Sequence, residues 1–129
     1  MHHVNIWAVL VAALSSFLLG GLWYSPALFG KIWNREAGQR PQPGHPAKVF
    51  GLSFLLALMA AYVFALFLGP KPVLRHAVGV GFHAGLFWVA GSFGINYLFA
   101  SRSLKLWLID GGYHTVQFTL YGVVLGLWH

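Results

Sequence analysis

The chain has 129 residues, of which 58% are hydrophobic and only 8% charged, too little charge to cover the surface of a soluble domain of this length. Two acids, Glu36 and Asp110, stand against eight lysines and arginines for a net charge of +6; the cations lie between long apolar runs rather than along one face, which argues for membrane-flanking anchors and against a nucleic-acid partner. With no cysteine, disulfides, thiolate metal sites, iron–sulfur clusters and covalent haem attachment are excluded.

The first apolar run, residues 4–24, is long enough to cross a hydrocarbon core of about 30 Å at about 1.5 Å per residue. It has no basic leader and ends in Trp23-Tyr24 rather than at a small-residue cleavage site, so it reads as a retained helix. Ser25 can then cap a short helix over about 26–37 with Pro26 at its first position and Gly38 at its end. Within it Leu28, Phe29, Ile32 and Trp33 recur at helical spacing opposite Lys31, Asn34 and Arg35, which predicts a helix lying in the inner headgroup layer. Residues 40–46, rich in proline, read as an extended linker.

The second span covers about 49–68 and is stopped by Gly69-Pro70. The third covers about 74–99 and the fourth about 104–128. Backbone polar groups in lipid must be bonded within their own helix, so the fold class is all-α, an integral membrane four-helix bundle in one transmembrane domain. Lys31, Arg35, Arg40, Lys48, Arg102 and Lys105 fall on one side and only Lys71 and Arg75 on the other, which places both termini outside the cytoplasm. Trp7, Trp23, Tyr24, Trp107 and Trp128 sit at span ends, whereas Trp88 falls near mid-membrane.

Small residues recur every four positions in each span: Ala8, Ala12, Ser16 and Gly20; Ala57, Ala61 and Ala65; Ala77, Gly81 and Gly85; Gly122 and Gly126. Close approach through such ladders carries helix association in lipid. Most are expected to pack within the monomer and at least one to build a homo-oligomer, whose subunit interface would offer the chamber that a four-helix unit lacks.

The segment Gly21-Leu22-Trp23-Tyr24-Ser25-Pro26, followed by Leu28-Phe29-Gly30-Lys31 and Trp33, resembles a bacterial membrane family known as domain of unknown function 1761. The stretches Asn96-Tyr97-Leu98-Phe99 and Ile109-Asp110-Gly111-Gly112-Tyr113-His114, and the closing Gly126-Leu127-Trp128, are similar to it as well, so the resemblance spans essentially the whole chain. It implies a small four-span protein of the bacterial inner membrane and supplies no activity.

Asp110 is the most informative residue, because an aspartate near a span's centre costs ~2.5–3.5 kcal/mol on insertion scales and so should face other helices or water. Asp110, His114, Gln117 and Tyr121 form a stripe on one helical face, and Asn96 falls at nearly the same depth as the acid. The stripe has two readings. In one it is a proton or cation path, with Asn96 orienting the carboxyl group; in the other it is interhelical glue. His76 and His83, two turns apart on the third span, read as core histidines bonded to partners rather than as haem ligands, and no metal site or cofactor is expected. Too few acids are present for a hydrolytic pair and there is no phosphate loop, so an enzyme is disfavoured. The leading expectation is a homo-oligomeric channel or transporter for protons, cations or a small polar solute; the alternative is an accessory subunit of a larger membrane complex.

Overall fold

The computed structural model describes residues 4–38 and 46–129, which are helical throughout and contain no strand. The proposed linker over 40–46 lies outside the described residues except for Pro46, which opens the second long helix. Helix α1 (Ile6–Trp23) starts where Oδ1 of Asn5 accepts from the Trp7 and Ala8 amides at 3.1 and 3.2 Å. Its chain then folds through a compact turn into α2 (Gly30–Ala37). Helix α3 (Pro46–Leu68) has proline at its first position and ends at Gly69, whose φ of +81° suits a residue without Cβ. The next span has three parts: α4 (Leu74–His83), a wider π-helical segment (Ala84–Ala90) and α5 (Gly91–Phe99). A turn through Ser101 leads to α6 (Leu104–Leu127), capped by the Ser103 hydroxyl, which accepts from the Leu106 amide.

The observed boundaries differ from the sequence expectation at the first connection. Ser25 does not cap a helix beginning at Pro26; its hydroxyl donates back to the Leu22 carbonyl at 2.7 Å. Its own carbonyl accepts from the amides of both Leu28 and Gly30, which closes a tight turn and delays the helix to Gly30. The third span also departs from a uniform α-helix. At the end of its wide segment the Ala90 carbonyl receives the Trp107 indole N–H at 2.9 Å, and Gly85 within it lies against the backbone of α6.

Helix α6 is the centre of the molecule, touched by α1, α2, α4, the π segment and α5, and more lightly by α3, which packs chiefly on α1. Contact with α4 is backbone to backbone: a Cβ added at Gly81 would lie 2.2 Å from the Phe118 carbonyl, and one at Gly122 would lie 2.2 Å from that of Ala77. Ala8, Ala12 and Ser16 of α1 and Ala57, Ala61 and Ala65 of α3 are likewise buried, so these small-residue faces are used inside one chain. One half of the molecule closes over a core of Val9, Ala61, Phe64, Ala65, Tyr121 and Leu125.

Three helical stretches are long and apolar enough to cross a membrane: Ile6–Trp23, Pro46–Leu68 and Leu74–Phe99. Their outward faces carry Leu18, Val63, Phe67, Trp88 and Leu98, the last 82% exposed. Helix α6 is equally long but holds Asp110, His114 and Gln117, which the surrounding helices shield. Trp88, at mid-span, points outward and meets Phe67 edge-on at 6.0 Å.

Candidate functional site

Asp110 is buried, 7% exposed, and its two oxygens accept three hydrogen bonds. Oδ1 receives the Tyr24 hydroxyl at 2.5 Å and the Trp33 indole N–H at 3.0 Å, while Oδ2 receives the Tyr97 hydroxyl. Among the described residues the only ion pair is Arg35 with Glu36, at 3.8 Å, so neutral donors hold the buried acid. Burying a carboxyl group without partners is costly, and these donors come from the end of α1, from α2 and from α5. The acid therefore ties three elements to the first third of α6.

The turn after α1 sets up this arrangement. A Cβ on Gly30 would lie 2.3 Å from the Tyr24 carbonyl, so only glycine lets the chain double back closely enough to aim Tyr24 and Trp33 at the same oxygen. Trp23 packs at a tilt against Phe29, with ring centroids 4.9 Å apart, and its indole donates to the Ile109 carbonyl at 2.9 Å, one residue before the acid. Arg102 closes the far end of α2 by donating to the Ala37 carbonyl at 2.9 Å.

A second polar group begins one turn further along α6. Nδ1 of His114 meets Oε1 of Gln117 at 2.6 Å, Nε2 of Gln117 donates to the Tyr121 hydroxyl at 2.8 Å, and that hydroxyl reaches the Ala57 carbonyl at 3.2 Å. Ser16 lies 3.4 Å from the same hydroxyl. The His114 ring lies flat on Phe93, 4.9 Å between centroids. Tyr113 turns the other way and donates to the Ser16 carbonyl at 3.0 Å.

Above His114 and Gln117 opens a cleft of about 930 Å³. Its walls are Phe17 and Gly21 of α1, the first half of α3 from Val49 to Ala60, and Val89 of the π segment; its floor is the Tyr113–Phe118 face of α6. Near its end α3 packs with the π segment, through Ala61, Phe64 and Ala65 with Ala84 and through Phe67 against Trp88, whereas its first half and Val89 both line the cleft. The cleft stops where Tyr121 and Phe64 seal the core. Among the described residues no lysine, arginine, aspartate or glutamate lines it. Its size falls within the ~300–1,000 Å³ usual for small-molecule sites, which are mostly apolar with a few placed polar groups.

The family described as protein of unknown function (DUF1761) has a model that matches residues 7–126. The chain belongs to this family. No curated protein and no solved structure matches it.

In this DUF1761 chain the residues singled out from sequence separate into distinct places. His114, Gln117 and Tyr121 form one connected group, as their spacing on α6 requires, but Asp110 is not hydrogen-bonded to His114 and belongs to the Tyr24–Trp33–Tyr97 cradle. Asn96 does not orient the acid: it is exposed, and the next residue, Tyr97, turns inward in its place. His76 and His83 are also exposed on α4 rather than in the core, and Nδ1 of His83 pairs with the Gly79 carbonyl of its own helix at 2.7 Å. Within the motif, Trp23, Tyr24, Phe29, Gly30 and Trp33 build the cradle, Ser25 closes the turn and Pro26 is exposed in it. Sequence reasoning placed Trp107 among the span-end aromatics, Ser16 in a small-residue ladder and Tyr113 in a family stretch, but gave none of them a hydrogen-bonding role. The available signal was that buried tryptophan and tyrosine need partners for their N–H and O–H groups.

Proposed function

We propose that the chain is a four-span protein of the bacterial inner membrane, with α2 in the inner headgroup layer and both termini outside, that captures a small amphipathic solute in the cleft as the binding state of a transporter. The observation that carries this reading is the cleft itself, an uncharged cavity of ligand size with His114, Gln117 and Tyr113 at its floor. The ends of α1 and α6 that meet at Asp110 carry Lys31, Arg35, Arg102 and Lys105 close by in sequence, which supports placing this end at the cytoplasmic face. The cleft then runs from the inner surface to mid-membrane and ends at Tyr121, which favours a solute site over a continuous proton path, since Asp110 and His114 belong to separate hydrogen-bonded groups.

This chamber lies within a single chain, so binding does not need a subunit interface. A homo-oligomer would pair through the outward leucine and phenylalanine faces, because the small-residue ladders are occupied internally.

Gly21→Leu tests the proposal. A Cβ at Gly21 meets nothing within 4 Å, and the residue lines the cleft, so a leucine there fills the cavity without disturbing the helix. Organic extracts of the protein purified in mild detergent are compared by mass spectrometry. A small amphiphile retained by the parent chain and lost from the Gly21→Leu variant supports the reading; identical extracts from both contradict it.

A further inference from the structure

The hydrogen-bond directions around the cleft specify what its occupant must offer. The Ala57 carbonyl can only accept, so the Tyr121 hydroxyl donates to it and accepts from Nε2 of Gln117. The amide of Gln117 therefore turns Oε1 to His114, and Nδ1 of His114 must carry the proton in that contact. Nε2 of His114 is left as a bare acceptor. It has no partner among the described residues, where every buried side-chain polar atom has one, so this nitrogen is accessible, on a ring that lines the cleft. The two tyrosines of the lining are committed in the same sense. Tyr24 donates its proton to Asp110 and Tyr113 donates to the Ser16 carbonyl, so each hydroxyl keeps only lone pairs for a ligand.

We infer that the cleft is specific for a neutral amphiphile whose head group carries a hydroxyl hydrogen-bond donor, received by Nε2 of His114, with its apolar body along Phe17, Phe50 and Leu56. Neutrality follows from the absence of any charged side chain among the described residues of the lining, since a charged head would find no counter-ion there. The donor follows from Nε2 of His114 and the two tyrosine oxygens, which only a donor satisfies; a carbonyl or ether oxygen can accept from the second N–H of Gln117 or from the Ser53 hydroxyl but leaves Nε2 unpaired. This inference rests on the cleft being a binding site.

The test uses two diazirine-bearing aliphatic probes, a primary alcohol and its methyl ether, photolysed with the full chain in nanodiscs, with labelled residues read by mass spectrometry. The alcohol is expected to label the α3 wall between Val49 and Ala60 about three- to tenfold more efficiently than the ether. The variant His114→Asn keeps an N–H donor for Gln117 and removes the Nε2 acceptor, and it should bring the two probes level while the fold persists. A purely structural histidine would leave the preference unchanged in this variant, which overturns the inference. Equal labelling of the parent chain by both probes also overturns it while leaving the binding site standing; labelling by neither removes the binding site and the inference together.

Discussion

The indole N–H of Trp33 lies 3.0 Å from Oδ1 of Asp110, although the two residues are 77 positions apart and on different helices. Tyr24 shares that oxygen and Tyr97 takes the other, so one carboxyl group fixes the position of α2 and the ends of α1 and α5 relative to α6. The cleft begins beside this cradle, with Tyr24 belonging to both.

Replacing the acid should therefore act on assembly. Asp110→Leu leaves three donors buried without an acceptor and is expected to cost about 3–5 kcal/mol, enough to undock α2. Asp110→Asn keeps one acceptor oxygen, and its amide can donate to a tyrosine oxygen, so most of the stability should survive. Thermal denaturation in detergent, followed by near-ultraviolet circular dichroism, ranks the two. Equal melting temperatures would show that the cradle does not hold the fold.

Trp33→Phe and Tyr97→Phe each delete one donor while retaining the ring. Interhelical hydrogen bonds in membrane proteins contribute about 0.6 kcal/mol on average and at most about 1.7, so each single variant should be mildly destabilised. Because both donors serve one carboxyl group, the double variant should depart from the sum of the singles. Additive losses in a double-mutant cycle would place the two residues in independent contacts.

Two glycines on either side of the turn between α1 and α2 should respond oppositely. Gly30→Ala drives a methyl group to 2.3 Å from the Tyr24 carbonyl and must open the turn, at a cost of about 1–3 kcal/mol or more. Gly21→Ala meets no neighbouring atom and replaces a poor helix former with a good one, so it should be neutral or stabilising by up to about 1 kcal/mol. Limited proteolysis after α1, together with melting temperature, separates the two outcomes.

The α4–α6 contact gives a parallel case. Gly122→Ala places Cβ 2.2 Å from the Ala77 carbonyl and should force the two helices apart. A spin-label distance between the exposed faces of α4 and α6 should lengthen by about 1 Å or more, since interiors packed at this density do not absorb a methyl group. An unchanged distance and melting temperature would mean that the approach is looser than described.

Helix positions were legible because length, apolar content and the Gly69-Pro70 stop are local signals, and α3 and α6 lie within a few residues of the expected spans. The prominence of Asp110 was legible too, since the cost of burying it is a property of the residue alone. Its partners were not. Asn96 and Tyr97 differ by one position, about 100° around a helix, and only the packing of α5 on α6 decides which turns inward. The late start of α2 was equally hidden, because Ser25-Pro26 is a sound capping signal that the tertiary turn overrides by engaging the Ser25 carbonyl twice. The cleft depends on how α3 packs on α1 beside α6, and that packing has no local signature.

The most direct measurement compares two single cysteines at the same depth of α3, which is possible because the chain has none of its own. Both residues are exposed, but Ser53 lines the cleft and its neighbour Leu52 does not. A water-soluble maleimide needs thiolate, which forms in a hydrated cavity and not in lipid, so Ser53→Cys in inverted membrane vesicles should react about tenfold faster than Leu52→Cys. Equal rates at the two positions would mean that no hydrated chamber opens between α3 and α6.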